Sequence, residues 1–155
     1  MSGLLLDLDG TLYVGDAPLP GAIEAIARLV ERDIPRRYLT NTTRISREAI
    51  ADKLRTMGFA IREDEIFTAP LAAARWLNAN GIERISLYVP ESTRADFSDF
   101  TLVQERPEAV VIGDLGAEWT FERLNEAFVP LLEGARLVAL QKNRFWNTGD
   151  GLALD

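Results

Sequence analysis

The chain begins with an apolar run, Leu4-Leu5-Leu6, that breaks at once into Asp7-Leu8-Asp9-Gly10-Thr11. A short apolar run bounded in this way suits a buried strand over residues 3–8. Side chains at i and i+2 of an extended chain point the same way. If the strand continued, Asp7 and Asp9 would set two like charges side by side on a sheet face, at a cost in desolvation and repulsion. A divalent cation relieves that cost. So does an end to the strand at Asp7, which lets both carboxylates converge on one reacting centre. Either outcome places charge at a strand's carboxyl end, where open parallel sheets bind ligands.

The rest of the chain alternates between two periods. Pro18, Pro20 and Gly21 mark a loop. Ile23, Ile26, Ala27 and Val30 then recur at helical spacing until Asp33 and Pro35 end the pattern. Residues 36–39 read as a strand ending at Thr40-Asn41, with Arg36 and Arg37 at the surface. Ser46 is placed to cap a helix with Ile50, Leu54 and Met57 on its face, closed by Gly58. Residues 66–67 are a brief strand. A helix from about Pro70 to Gly81 carries Leu71, Ala74 and Leu77, and residues 84–89 are another strand. This order predicts an α/β fold, a Rossmann-like parallel sheet with helices packed on it.

From Pro90 the texture changes, and a second module is expected from residue 80 onward. Residues 90–108 are polar and irregular, residues 109–112 and 137–140 read as strands, and Phe121, Leu124, Phe128 and Leu131 mark a helix. Trp119, Phe121 and Phe128 are expected in the core of that module. Gly113-Asp114-Leu115-Gly116 reads as a strand-to-loop turn, and Gly149-Asp150-Gly151 as a turn near the end.

Composition narrows the chemistry. The 155 residues include no histidine and no cysteine. Serine–histidine and cysteine–histidine catalysis, disulfides and the common zinc sites are therefore excluded. A net charge of −7 argues against nucleic acid, which needs a basic footprint. No run reaches the ~20 apolar residues of a membrane span. The N-terminus is read as lacking a targeting signal, and the expected location is cytoplasmic.

What remains is carboxylate chemistry. An aspartate can attack phosphorus and form an aspartyl-phosphate, which splits one hard step into two. Gly10 lets backbone approach a phosphate closely, and Mg²⁺ suits a site of carboxylate and carbonyl oxygens. The string DLDGTL resembles the first motif of the haloacid dehalogenase superfamily. The resemblance implies that Asp7 is the nucleophile and Asp9 the general acid/base, with Asp7 and the Asp9 carbonyl as metal ligands. Thr40, in Leu39-Thr40-Asn41-Thr42-Thr43, matches the family's second motif, a phosphate-binding Thr or Ser. The Thr40-Asn41 pair is similar to the nitrophenylphosphatase-type subfamily with a large α/β cap. Asp64-Glu65-Ile66-Phe67-Thr68, Val111-Ile112-Gly113 and Lys142-Asn143-Arg144-Phe145-Trp146 look like cap-bearing members such as the phospholysine phosphohistidine inorganic pyrophosphate phosphatases.

The resemblance divides the chain into residues 1–79, the N-terminal half of the core, and residues 80–155, part of the inserted cap. It implies a Mg²⁺-dependent phosphatase acting on a small phosphorylated substrate, with Asp7 and Asp9 catalytic and Gly10, Thr40 and Asn41 holding phosphate. Lys142 and Arg144 are either cap contacts to an anionic substrate or solvated charges. The family's third-motif lysine and fourth-motif acidic pair come after the cap, so the chain is expected to be a truncated form with half a site. Two alternatives stay open. One is a catalytically incomplete module that binds a partner or itself through an exposed sheet edge, making a homo-oligomer. The other is a phosphotransferase or mutase with the same Asp7 chemistry.

Overall fold

The computed structural model describes residues 3–147 and 151–154. In chain order it contains β1 (Leu4–Asp7), β2 (Tyr13–Val14), β3 (Ala17–Pro18), α1 (Ala22–Glu31), β4 (Arg36–Thr40), α2 (Arg47–Thr56), β5 (Ile66–Thr68) and α3 (Ala69–Ala79). Beyond them lie β6 (Arg84–Tyr88), β7 (Thr101–Leu102), β8 (Ala109–Ile112), α4 (Phe121–Leu132), β9 (Arg136–Ala139), β10 (Phe145–Asn147) and β11 (Leu152–Leu154). Short 3₁₀ segments cover Glu63–Glu65, Glu91–Phe97 and Gly116–Glu118. The architecture is α/β with parallel sheets, as the alternation predicts.

Two parallel sheets organise these elements. The first has the order β1-β4-β5, with β1 at an edge; the second has the order β7-β6-β8-β9. The first sheet packs on α1 and α2 through Leu8, Ile26, Tyr38, Leu54 and Ile66, all nearly inaccessible. The Ser46 hydroxyl accepts from the Ala49 amide at 3.2 Å and caps α2. Thr68 caps α3 in the same way, accepting from Leu71 N at 3.2 Å. The buried residues of α3, Ala73, Ala74 and Leu77, pack with Ile85, Phe97, Phe100 and Val111 of the second sheet and its connections. The division expected at residues 79 and 80 falls at the end of α3, a helix that packs against the second sheet.

Strand β1, expected to be buried, leaves Leu4 39% and Leu5 71% exposed at the sheet edge. Four other features depart from the sequence reading. The stretch after Thr11 forms a hairpin, β2–β3, where only a loop is expected. The irregular residues 90–108 hold a 3₁₀ helix and β7, and bury Phe97 and Phe100. Helix α4 turns most of its expected apolar face outward: Phe121 is 79% exposed, Leu124 53% and Phe128 54%, while Leu131 does pack inward. Its buried residues are Ala127 and Pro130, and Ala127 packs with Val110. Trp119 does pack there, stacked on Tyr88 at 5.7 Å. The turn expected at Gly149-Asp150-Gly151 lies mostly outside the described residues.

The fourth correction concerns Arg36, which is not a surface charge. Its Nη2 lies 2.9 Å from Glu65 Oε1, with side-chain exposures of 9% and 5%. Its Nε donates to the Tyr38 hydroxyl at 3.0 Å and its Nη1 to the Ile34 carbonyl at 3.1 Å. The second Glu65 oxygen accepts from Arg62 N at 3.0 Å. A buried ion pair stabilises little in net terms, but removing one partner strands the other charge. Glu65→Ala is therefore expected to destabilise the fold by about 3–5 kcal/mol, read from the urea midpoint at constant slope.

Candidate functional site

Leu8 fixes the first strand's exit. Its side chain is fully buried while Asp7 and Asp9 on either side are exposed, as alternation along an extended chain requires. The chain then folds over itself. Thr11 N and Leu12 N donate to the Leu8 carbonyl at 3.2 and 2.8 Å, and Gly10 N donates to the Tyr13 carbonyl at 2.8 Å. Gly10 adopts φ 78°, a left-handed conformation that glycine reaches without penalty. This tight turn, leading into the β2–β3 hairpin, holds Asp9 beside Tyr13 in an isolated bridge.

The pairing register sets the other half. Asp7 lies opposite Leu39, the neighbour of Thr40, so Asp7 and Thr40 end adjacent strands. A cleft of about 320 Å³ opens at these ends. Asp9, Thr40 and Asn41 line it, as do Tyr13, Thr42, Thr43, Arg44, Lys53, Asp114, Gln141 and Asn143. Asp7 and Gly10 are not part of the lining. Lys142 and Arg144 are exposed and also lie outside it. The segment between β9 and β10 therefore reaches the cleft through Gln141 and Asn143, the residues next to those expected.

Sequence reasoning missed Arg44, Lys53 and Asp114. Lys53 sits on α2 with its ammonium 3.0 Å from Asp16 Oδ1 and 5.0 Å from the centre of the Tyr13 ring. It thereby ties the hairpin to the helix. No local pattern marks it, because a lysine on a helix is ordinarily a solvated charge. Asp114 lies in the turn after β8, buried with its side chain 5% exposed, and it pairs with Arg44.

Tyr13 lies close to both carboxylates. Burial pushes the Tyr13 hydroxyl above its ordinary value of 10.0, and the Asp9 and then the Asp7 carboxylate push it further. Both carboxylates thus act on one point. Two carboxylates and nearby backbone carbonyls are hard oxygen donors, the chemistry of a Mg²⁺ site that keeps several waters. Among the described residues no third acidic side chain joins them in a metal-binding cluster.

Residues 4–102 match the family model described as haloacid dehalogenase-like hydrolase. The chain belongs to that family. It is 43% identical over 155 residues to haloacid dehalogenase-like hydrolase domain-containing protein 2 of Rattus norvegicus, covering 99% of this chain and 58% of the relative. It is 35% identical over 159 residues to the phospholysine phosphohistidine inorganic pyrophosphate phosphatase of the same species, with the same coverages. The chain thus spans 58% of the length of these family relatives. Among solved structures, the 4-nitrophenylphosphatase from Thermotoga maritima superposes with a TM-score of 0.86 at 28% identity, over 97% of this chain and 59% of that one. The glycerol phosphate phosphatase from Mycobacterium tuberculosis, in complex with magnesium, gives 0.85 at 27%, over 97% and 47%. Family membership places the chain among hydrolases that include phosphatases. No helix among the described residues is long and apolar enough to cross a membrane.

The Tyr13 field gives a test of the carboxylate geometry that needs no substrate. Asp9→Asn removes one of the charges that raise the phenol, so the Tyr13 titration, followed by NMR, is expected to move down toward 10.0. The raised folded value means that folding favours the neutral phenol. Its contribution to stability is complete below pH 10.0 and is lost as pH rises through the folded value. An unmoved titration in Asp9→Asn would place that carboxylate away from Tyr13.

Proposed function

We propose that the chain carries the nucleophile-bearing part of a Mg²⁺-dependent phosphatase that works through an aspartyl-phosphate. One observation carries the reading: Asp7 and Thr40 end neighbouring parallel strands, and Asp9 and Thr40 share one cleft. In the first step a carboxylate oxygen of Asp7 attacks phosphorus in line with the leaving oxygen. The bond to the leaving group breaks, and Asp9 gives that group its proton. In the second step Asp9 takes a proton from water, the water oxygen attacks the same phosphorus, and the bond to Asp7 breaks to release phosphate. The Thr40 hydroxyl, the Asn41 amide and the backbone around Gly10 hold phosphate oxygens, so the reacting atoms are positioned before the chemistry begins. The Asp7 carboxylate and the Asp9 backbone carbonyl would hold Mg²⁺, which would supply positive charge against the phosphate oxygens.

The substrate class that fits is a small phosphorylated molecule, a phosphoric monoester or a phosphoramidate. The relative named for phospholysine, phosphohistidine and pyrophosphate supports that range. Lys142 and Arg144, exposed beside Gln141 and Asn143, are proposed as rim contacts to a substrate anion. The third-motif lysine and fourth-motif acidic pair implied by the family resemblance have no match in the 155 residues. A second reading, a self-associating module, is favoured by one feature. Strand β1 is an edge strand with Leu4 39% and Leu5 71% exposed, the kind of edge that pairs with another chain. Light scattering decides it, since a monomer at every concentration rules it out.

The phosphatase reading is tested by phosphate release from p-nitrophenyl phosphate with Mg²⁺, using the product of the whole reading frame. Asp7→Asn is expected to abolish turnover. Asp9→Asn is expected to lower kcat by about 10²–10⁴-fold, the range for a lost general acid/base. Full activity in Asp7→Asn would rule out the covalent mechanism.

A further inference from the structure

We propose that Asp114 is a positioning residue, a clamp by which the second module fixes the loop that leaves β4 and carries Asn41, Thr43 and Arg44. The loop has no regular structure between Thr40 and the start of α2. Within it, Thr42 N donates to Thr40 Oγ1 at 3.2 Å. Three further bonds come from the other module. The Arg44 guanidinium donates to Asp114 Oδ2 through Nε. Asp114 N donates to Thr43 Oγ1 at 3.4 Å. The Ser92 hydroxyl donates to the Arg44 carbonyl at 2.6 Å. Thr43 is buried at 2% exposure, so the loop is held from inside as well as along its edge.

The carboxylate of Asp114 is itself held in place. Its Oδ1 accepts from Gly116 N at 2.8 Å, which leaves Oδ2 directed at Arg44. Gly116 adopts φ 52°, a left-handed conformation that suits glycine. The turn after β8 is thus shaped to aim the carboxylate. Arg44 and Asp114 both line the cleft that holds Asp9 and Thr40. A charge-assisted bond of this kind is stronger than a neutral one, and it is less screened when one partner is buried. The clamp therefore links the phosphate-anchoring loop to the position of the second sheet through side chains 70 residues apart in sequence.

Two measurements test this, and only the second rests on the phosphatase reading. The first is trypsin cleavage of the Arg44–Ile45 bond in the whole protein, resolved by mass spectrometry, with cleavage after Arg28 in α1 as the internal reference. The protease must free the Arg44 side chain and carbonyl from Asp114 and Ser92. Asp114→Asn is expected to raise the Arg44-to-Arg28 cleavage ratio by about tenfold, and Ser92→Ala to raise it less. If Asp114→Asn unfolds the chain, both sites accelerate together, and Ser92→Ala then decides. An unchanged ratio in the variants that stay folded overturns the clamp.

The second measurement is steady-state kinetics with p-nitrophenyl phosphate. A misplaced loop is expected to raise KM about tenfold in Asp114→Asn, whereas a lost folded fraction scales kcat alone. In an Arg44→Gln background the Asp114→Asn effect on KM is expected to disappear, because the two act as one unit. An unchanged KM in an active, folded Asp114→Asn protein overturns the positioning role. If the wild-type protein releases no phosphate while Asp114→Asn still raises the cleavage ratio about tenfold, the phosphatase reading is overturned and the clamp stays in place.

Discussion

The parallel pairing of β1 with β4 is the constraint on which the rest of the site depends. It sets Asp7 opposite Leu39 and so brings the first strand's terminal carboxylate next to Thr40. A one-residue slip would move every side chain of β1 to the other face. It would expose Leu8 and bury a carboxylate. Leu8, the residue after β1, is fully buried, and the register of β1 sets which side chains meet at the strand ends. The ion pair of Arg36 with Glu65 ties the start of β4 to the segment before β5 and holds the sheet from the opposite end.

Around that pairing the site is assembled from groups that are weak alone. The Gly10 turn and the β2–β3 hairpin hold Asp9 at the cleft, and Lys53 keeps the hairpin against α2. Gln141 and Asn143 approach from the second module. Burial, then the Asp9 and Asp7 carboxylates, raise the Tyr13 hydroxyl, and the cleft beside it carries Arg44 and Lys53 as well as Asp9 and Asp114. The chain belongs to the haloacid dehalogenase-like hydrolases and spans 58% of the length of the relatives it matches.

Much of this was legible in the sequence. The helices and the main strands stand where apolar spacing puts them, because each is long enough for its period to show. Asp7 stands out because it breaks an apolar run, whereas Thr40 is legible only through its likeness to the family's second motif. The β2–β3 hairpin was not, since strands of two residues carry no period. The face of α4 was misread because the helix buries Ala127 and Pro130 and leaves Phe121 and Phe128 outside. Hydrophobicity ranks those residues in the opposite order. Arg36 read as a surface charge because its partner Glu65 is distant in sequence. The Arg44–Asp114 pair left no local trace for the same reason, and such pairs are found only when the fold brings them together.

Thr68 ends β5, caps α3 and is 1% exposed, so strand passes into helix with no intervening residue. A joint of that kind has no slack. Thr68 also stands opposite Thr40 in the first sheet, and α3 packs against the second sheet. Asp114 returns from the second sheet to the loop that follows Thr40. The backbone and the clamp therefore close a ring that begins and ends at Thr40, and a ring restrains what a single tether would leave free.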